Sequence, residues 1–528
     1  MSSSSQQESS KNTEEKSVGV RVLVDDYEEG EVGMVPVEKK GDGEVELEKN
    51  FSLLTVVGLV YSSFATPIAL GTYLSLVVGV GGAPFFFYSY LMCGVFSLLT
   101  AYSMAELASV HPHASALVLW TQLFASPKYS RVLTYFTGFI SCASWIFASC
   151  AAAFFQADLI LAMASMCFPN YVIQDWHTYL VFLAASTFAL GLNTFSMRGV
   201  ALLANSMNYV INGGTIFIFV ALLARAFPKQ PAEYVFKEVV NETGWGSKGV
   251  VFFLSITPSV SAVAVFDGAC HLTDEVPNPK KNIPLVLTYG YTAATFIGLI
   301  SVIIYMFCIV NPENLLAPVG GQPFFQLFED SMHSKPLSII SALFVTLTFV
   351  GGTNATLTST SRLVMAFARF GSLPYGKAIG SVNRKFKTPG WAILFVYVWM
   401  ILLGLLIFAS SAALNAVMGS FLTCMFVSYC FPFISLVLTK DRYGEGVKPL
   451  FNLGKWGRPI NIICIFWFMF ASGWLCVPSY VPVTANGMNY TVVVLTATIV
   501  VATVNWVFFA RKHFHFVAEV DESQWESK

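Results

Sequence analysis

Charge is scarce in this chain of 528 residues: Asp, Glu, Lys and Arg together make up 12% of it, against roughly 25% in an ordinary soluble domain. A water-soluble globule is excluded on that ground. Lys+Arg, 30, and Asp+Glu, 31, nearly cancel, so no excess of one sign points to nucleic acid as a partner. The ten cysteines include no CxxC pair and no cysteine cluster near a His or Asp that would suggest a metal site, so neither a metal nor a cofactor is expected, and the thiols read as small polarizable packing groups. The polar, Ser/Glu-rich stretch from Met1 to Asn50 has no short apolar core near its start. A cleavable signal peptide is therefore not expected, and the first span itself directs insertion. The long internal loop from Arg225 to Lys248 lacks His and Cys, which argues against a membrane-embedded transferase with ligands gathered at one interface.

What the chain does have is apolar length. Hydrophobic residues make up 55% and aromatic residues 15%, which excludes a disordered polymer. A helical span needs about 20 apolar residues, and twelve such stretches are predicted at 52–79, 84–107, 131–166, 178–196, 199–224, 249–272, 283–309, 337–368, 389–409, 412–438, 459–478 and 490–510. The third and eighth are long enough to require tilt or protruding ends. The predicted organisation is a tail at 1–50, a membrane domain at 51–516 and a tail at 517–528.

Orientation follows from the positive residues, which collect in short cytoplasmic loops. With the amino terminus inside, the inner loops hold fifteen of them: Lys128, Arg131, Arg198, Lys280, Lys281, Arg369, Lys377, Arg384, Lys385, Lys387, Lys440, Arg442, Lys448, Lys455 and Arg458. The outer loops hold five: Arg225, Lys229, Lys237, Lys248 and Lys335. Both tails are thus expected in the cytoplasm. The sequons Asn241-Glu242-Thr243 and Asn489-Tyr490-Thr491 fall on the predicted outer face, which makes Asn241 and Asn489 glycosylation candidates. A third match, Asn354-Ala355-Thr356, lies within an apolar span and reads as chance.

Backbone amides in hydrocarbon must be paired, so a proline inside a span matters: it deletes a donor and leaves a carbonyl to be satisfied elsewhere. The first span contains Ser62-Ser63-Phe64-Ala65-Thr66-Pro67, and the sixth contains Thr257-Pro258-Ser259, then Asp267 and Gly268. Both are expected to be broken helices. They lie five spans apart, the offset of an inverted repeat, and paired interruptions of this kind point to a substrate site. Simple proline kinks are the alternative.

Asp267 is the most specific single residue, because an ionisable group within a span is costly and faces a partner or a watery cavity. Its readings are attraction of a substrate amine, carriage of a coupling proton, structural pairing, or a solvated position near the inner interface. Glu106, ending the second span, reads as an interfacial gate or helix-end contact. Asp158 and Arg362 need partners at depth, and a structural ion pair is the expected form. The run Gly351-Gly352-Thr353-Asn354, continuing through Thr356 and Thr358 to Ser361, permits close helix packing, with an ion site as the alternative. Trp145, Phe147, Phe154 and Phe155 recur along the third span, while Phe64 and Phe266 flank the two breaks. Such rings either pack or hold a cationic amine over their faces.

The stretch Phe266-Asp267-Gly268-Ala269-Cys270-His271-Leu272-Thr273-Asp274-Glu275-Val276-Pro277-Asn278-Pro279 resembles the signature joining spans six and seven of fungal amino-acid/choline permeases, in the amino acid–polyamine–organocation superfamily. Gly81-Gly82-Ala83-Pro84, Ala105-Glu106-Leu107-Ala108-Ser109 and Ser361-Arg362 are supporting matches, as is the segment from Ala366 to Pro374. The resemblance runs from about Phe51 to Phe516. It implies an all-α LeuT-like fold of twelve transmembrane helices, a five-plus-five inverted repeat with two additional helices. It also implies secondary active uptake of a small amine or amino acid, driven by protons, in a fungal membrane, the plasma membrane being expected. The N-terminal lysines become candidates for ubiquitin.

This chain departs from the wider superfamily in span one, where Phe64-Ala65-Thr66-Pro67-Ile68 replaces the usual glycine-rich break. The tryptophan typical of choline-type members is absent there. The proline is similar to γ-aminobutyrate-type members, so γ-aminobutyrate is the favoured substrate, with choline or polyamine as the alternative. The mechanism implied places the substrate against Phe64, Ala65, Thr66, Pro67, Val265, Phe266 and Asp267, with Glu106 and Asp267 as gating or coupling groups. A carboxylate would meet the positive end of the half-helix after Pro67, and an amine the carbonyls freed near 262–266. A transporter-like nutrient sensor, a channel and an enzyme are the other function classes.

Overall fold

The computed structural model describes residues 47, 51–439, 449–485 and 487–515. The tails, with their candidate lysines, and Lys440, Arg442 and Lys448 lie outside the described residues, Leu47 excepted. Among the described residues eleven helices are long and apolar enough to cross a membrane. Spans 1 to 5 are Leu53–Thr72, Gly82–Val110, Pro127–Cys167, Asp175–Phe195 and Met197–Arg225. Spans 6 to 10 are Lys248–Glu275, Pro279–Cys308, Lys335–Arg369, Gly390–Ala409 and Ala412–Leu438. Thr491–His513 is the last. A shorter helix, Gly457–Trp474, precedes it, and its Arg458 and Asn461 dilute its hydropathy; we number these two spans 12 and 11. The sequence places the ends of these spans within about four residues, except that the expected first span, 52–79, runs seven residues past Thr72.

The packing repeats when each span is exchanged for the one five places away. Spans 3 and 8 lie along each other, and spans 2 and 7 do the same. Span 3 packs on 10 as span 8 packs on 5. Span 1 meets 5 and 8, and span 6 meets 10 and 3 through side-chain bonds. This is the five-plus-five inverted repeat, with spans 11 and 12 added against span 10. Large apolar side chains such as Phe188, Leu202, Val220, Phe466 and Phe508 are exposed on the outside, as a lipid-facing surface requires.

Span 3 runs 41 residues without interruption, about 60 Å at 1.5 Å per residue, twice the roughly 30 Å hydrocarbon core. The 35 residues of span 8 overshoot similarly, so both protrude or tilt as expected. Serine and threonine hydroxyls bond between or along these helices: Ser149 Oγ lies 2.8 Å from Thr360 Oγ1, which also donates to the Trp145 carbonyl. The polar run of span 8 reaches span 4, where the Asn193 amide donates to Asn354 Oδ1 and Asn193 Oδ1 accepts from Thr358, each at 2.8 Å. These bonds use the run for helix packing.

Connections contribute features that hydropathy does not show. A helix at Leu117–Phe124 lies between spans 2 and 3, and another at Pro323–Met332 precedes span 8. Val80–Gly81, joining spans 1 and 2, pairs antiparallel with Val240–Asn241, which precedes span 6. The described chain enters and leaves on one face: Phe51 N donates to the Glu275 carbonyl and His515 N to the Phe370 carbonyl. We call this the amino-terminal face.

Span 1 approaches span 5 at Gly58, where an added Cβ would stand 2.1 Å from the Ala204 carbonyl oxygen. Backbone cannot yield as a side chain can, so Gly58→Ala pushes the helices apart. The expected loss is about 1–3 kcal/mol, read as a lowered unfolding temperature in detergent; an unchanged temperature would contradict the close approach.

Candidate functional site

Span 1 is two helices. Leu53–Phe64 ends at Ala65, whose φ 35 and ψ 50 are left-handed, and a second helix starts at Thr66. Pro67 falls in the first turn of that second helix, where its missing N–H removes no helical bond. The break therefore lies where the sequence puts it.

Span 6 breaks later than its proline suggests. Pro258 lies within the helix Ile256–Ser261, in the first turn, where amides have no helical partner. The discontinuity spans Ala262 to Val265, and a tight 3₁₀ helix, Phe266–Glu275, follows. Val265 has φ 64 and ψ 38, a left-handed conformation that is costly for a β-branched residue. Backbone strain of this kind concentrates at functional sites.

The two breaks touch. Thr66 Oγ1 donates to the Ala262 carbonyl at 2.7 Å, joining span 1 to span 6 across 196 residues of sequence. Span 7 satisfies further carbonyls: the Tyr291 hydroxyl donates to Val265 at 2.8 Å, and the Tyr305 hydroxyl to Pro67 at 2.8 Å. Phe64 and Phe266 both face Tyr291, with ring centroids at 4.8 and 5.1 Å. Beside this aromatic wall is a cavity of about 130 Å³, lined by Tyr61, Phe64, Tyr291 and span 5 residues Asn208 and Asn212 among others. Phe64, Ala65, Thr66, Pro67, Val265 and Phe266 are thus gathered in one place.

Asp267 is fully buried just beyond the break, on the amino-terminal side. Its Oδ2 accepts from Trp145 Nε1 of span 3 at 3.1 Å and lies 3.0 Å from His271 Nε2; its Oδ1 accepts from the Tyr429 hydroxyl of span 10 at 2.7 Å. The network fastens the half of span 6 nearer the amino-terminal face to two neighbouring spans. Eight residues on, Glu275 Oε1 accepts from Arg362 Nε at 2.7 Å, both side chains almost wholly buried. Arg362 thereby has the ion-pair partner its depth requires, and that partner is Glu275. Asp158 lines a different cavity, of about 740 Å³, on the opposite face with Gln322, Glu329 and Lys335.

Glu106 is not part of this cluster. Its Oε1 accepts from the Leu453 amide at 2.9 Å, which ties the end of span 2 to the segment before span 11. In the adjacent loop, burial, reinforced by the charge of Lys280, pushes His111 down to about 4, so its ring is neutral near pH 7. Asn241 is exposed, with its amide donating to the Trp245 carbonyl. The half-buried Asn489 donates to the Leu475 and Val477 carbonyls. His271, Tyr291, Tyr305 and Tyr429 are the site residues that sequence reasoning missed. His271 alone had a local signal, lying four residues after Asp267 on one segment.

A family model described as amino acid permease matches residues 51–499. A choline transporter of Saccharomyces cerevisiae is 28% identical over 487 residues, covering 92% of this chain and 86% of that protein. A swainsonine transporter of Arthroderma benhamiae is also 28% identical, over 92% of this chain and 97% of its own. Amino-acid permease 2 of Neurospora crassa is 24% identical over 92% of this chain and 87% of its own.

Proposed function

Because the chain belongs to the amino acid permease family, we propose that it is a secondary transporter that imports a small amine or amino acid, with γ-aminobutyrate first among candidates, by proton-coupled alternating access. The observation that carries this reading is the contact between two broken helices, made by the Thr66–Ala262 bond. Irregular backbone at membrane depth is tolerated where it lines a binding site.

In this reading Phe64, Ala65, Thr66, Pro67, Val265 and Phe266 surround the substrate. Carbonyl oxygens and the faces of Phe64, Phe266 and Tyr291 attract its ammonium. Asp267 fastens and releases span 6, and Glu106 holds the end of span 2. The amino-terminal face is the cytoplasmic one, in the plasma membrane, and Asn241 and Asn489 face outward as glycan acceptors. The Asp267 network and the Glu275–Arg362 pair close the cytoplasmic side, while the larger cavity opens on the other. Substrate enters from that cavity, and release requires the inner half of span 6 to leave spans 3, 8 and 10.

The aromatic wall also supports a second reading, choline, because a quaternary ammonium has no N–H to donate and depends on ring faces. The yeast relative named a choline transporter adds to that case. Uptake of labelled γ-aminobutyrate, choline and a polyamine in cells lacking their own permeases tests both. Accumulation of one of them above the external concentration is expected, collapsing when a proton uncoupler is added. Binding without uptake would instead make the protein a sensor, and flux without accumulation would make it a channel.

A further inference from the structure

We propose that Asp267 and His271 together are the site that carries the coupling proton, with the carbonyl of Ala114 fixing which ring nitrogen takes part. The inference deepens the proton-driven reading above and rests on it.

His271 Nδ1 lies 2.8 Å from the Ala114 carbonyl oxygen, in the loop after span 2. A carbonyl only accepts, so Nδ1 carries a hydrogen. In a neutral ring with that tautomer Nε2 is a bare lone pair, yet Nε2 stands 3.0 Å from Asp267 Oδ2. Two acceptors do not approach so closely without a proton between them. The pair therefore holds one, as imidazolium and carboxylate or as neutral ring and carboxylic acid, and is net neutral either way. Both side chains are fully buried, where an unbalanced charge is costly.

The groups around the pair leave this proton no rival. Span 3 contributes the Trp145 indole, which only donates; span 10 contributes the Tyr429 hydroxyl. Tyr291 of span 7 donates to the Val265 and Ala264 carbonyls, and Cys270 is a buried thiol on the same segment. Phenols and thiols release protons only well above neutral pH. In the loop, His113 turns Nδ1 toward Ser115. Glu275, further along, is paired with Arg362.

Loss of the proton leaves carboxylate facing lone pair, and the closed contact fails. A second proton makes Asp267 a carboxylic acid beside an imidazolium, with an O–H pointed among three donors, and the contact fails again. The closed geometry is thus a one-proton geometry. During import the pair takes its proton from water on the outer side, through the break at Val265. When the inner half of span 6 swings away from Trp145, Tyr429 and Ala114, the pair meets cytoplasmic water and gives that proton to it.

The full chain in proteoliposomes, with labelled γ-aminobutyrate and choline as probes and a pH dye inside, tests this. His271→Gln keeps an amide donor for Asp267 but holds no transferable proton. Substrate-driven acidification of the lumen is expected to fall at least about tenfold per labelled substrate moved. Acidification per substrate equal to wild type would overturn the proposal. Where His271→Gln does not assemble, Asp267→Asn puts the same question to the other partner and is read only by acidification per labelled substrate moved: a fall of at least about tenfold supports the pair, and a ratio equal to wild type overturns it. Wild-type protein that exchanges probe with no acidification would instead sink proton coupling itself, and the pair's role with it.

Discussion

Arg362→Ala is expected to cost about 3–5 kcal/mol of stability, because it leaves a carboxylate buried without its counter-charge. Arg362 is 1% exposed and its partner Glu275 likewise 1%, so water does not replace the missing guanidinium. Arg362 also donates through Nη1 to the Thr358 carbonyl and to Ser361 Oγ, so truncation empties more than one contact. The measurement is the fraction of protein that stays monodisperse on heating in detergent, together with the amount reaching the membrane. Stability equal to wild type would mean that the pair is solvated. Replacing both partners by apolar residues of similar volume, Arg362→Met with Glu275→Leu, is expected to recover most of the loss, because neither charge then remains buried. Uptake is not expected to return with it. The pair fastens the amino-terminal-face end of span 6 to span 8, and under the proposed alternating access an apolar contact there would no longer have water competing for its halves as the span opens.

Thr66→Val is expected to cut initial uptake by about ten- to hundredfold with little change in the amount of protein. The substitution keeps shape and removes the hydroxyl that bonds the Ala262 carbonyl at 2.7 Å. A buried acceptor left unpaired costs about 1–3 kcal/mol, and each 1.4 kcal/mol is roughly a tenfold change in a population or a rate. The cost falls on the closed state in which the two breaks touch. Thr66→Ser restores the donor and should restore uptake. Uptake by Thr66→Val at the wild-type rate, normalised to surface protein, would separate the contact from transport.

The sequence was most legible where one physical rule acts alone. Hydrocarbon demands long apolar helices, and the twelve spans follow from that demand, including Gly457–Trp474, despite its Arg458 and Asn461. The break in span 1 was readable because Ala65 lies directly before the turn that Pro67 initiates. In span 6 the same rule misleads. Pro258 sits where a helix has no need of its amide, and the true interruption falls at four residues, Ala262, Val263, Ala264 and Val265, none of which is a helix breaker. Tertiary bonds from Thr66 and Tyr291 hold that segment open, and these involve no local pattern. The partners of Asp267 were hidden for a similar reason. Trp145 and Tyr429 lie 122 and 162 residues away, and only the fold brings them together. Arg362 announced that it needed a counter-ion, but depth alone did not distinguish Glu275, 87 residues distant, from Asp158.

The short ribbon of Val80–Gly81 on Val240–Asn241, extended by the bond from Glu242 N to the Gly79 carbonyl, acts as a yoke. It ties the chain leaving span 1 to the chain entering span 6, so under the proposed alternating access the far halves of the two spans are expected to swing as one lever about their breaks. A staple that immobilises either arm is then expected to arrest its twin, and a sugar attached at Asn241 would ride on the moving part.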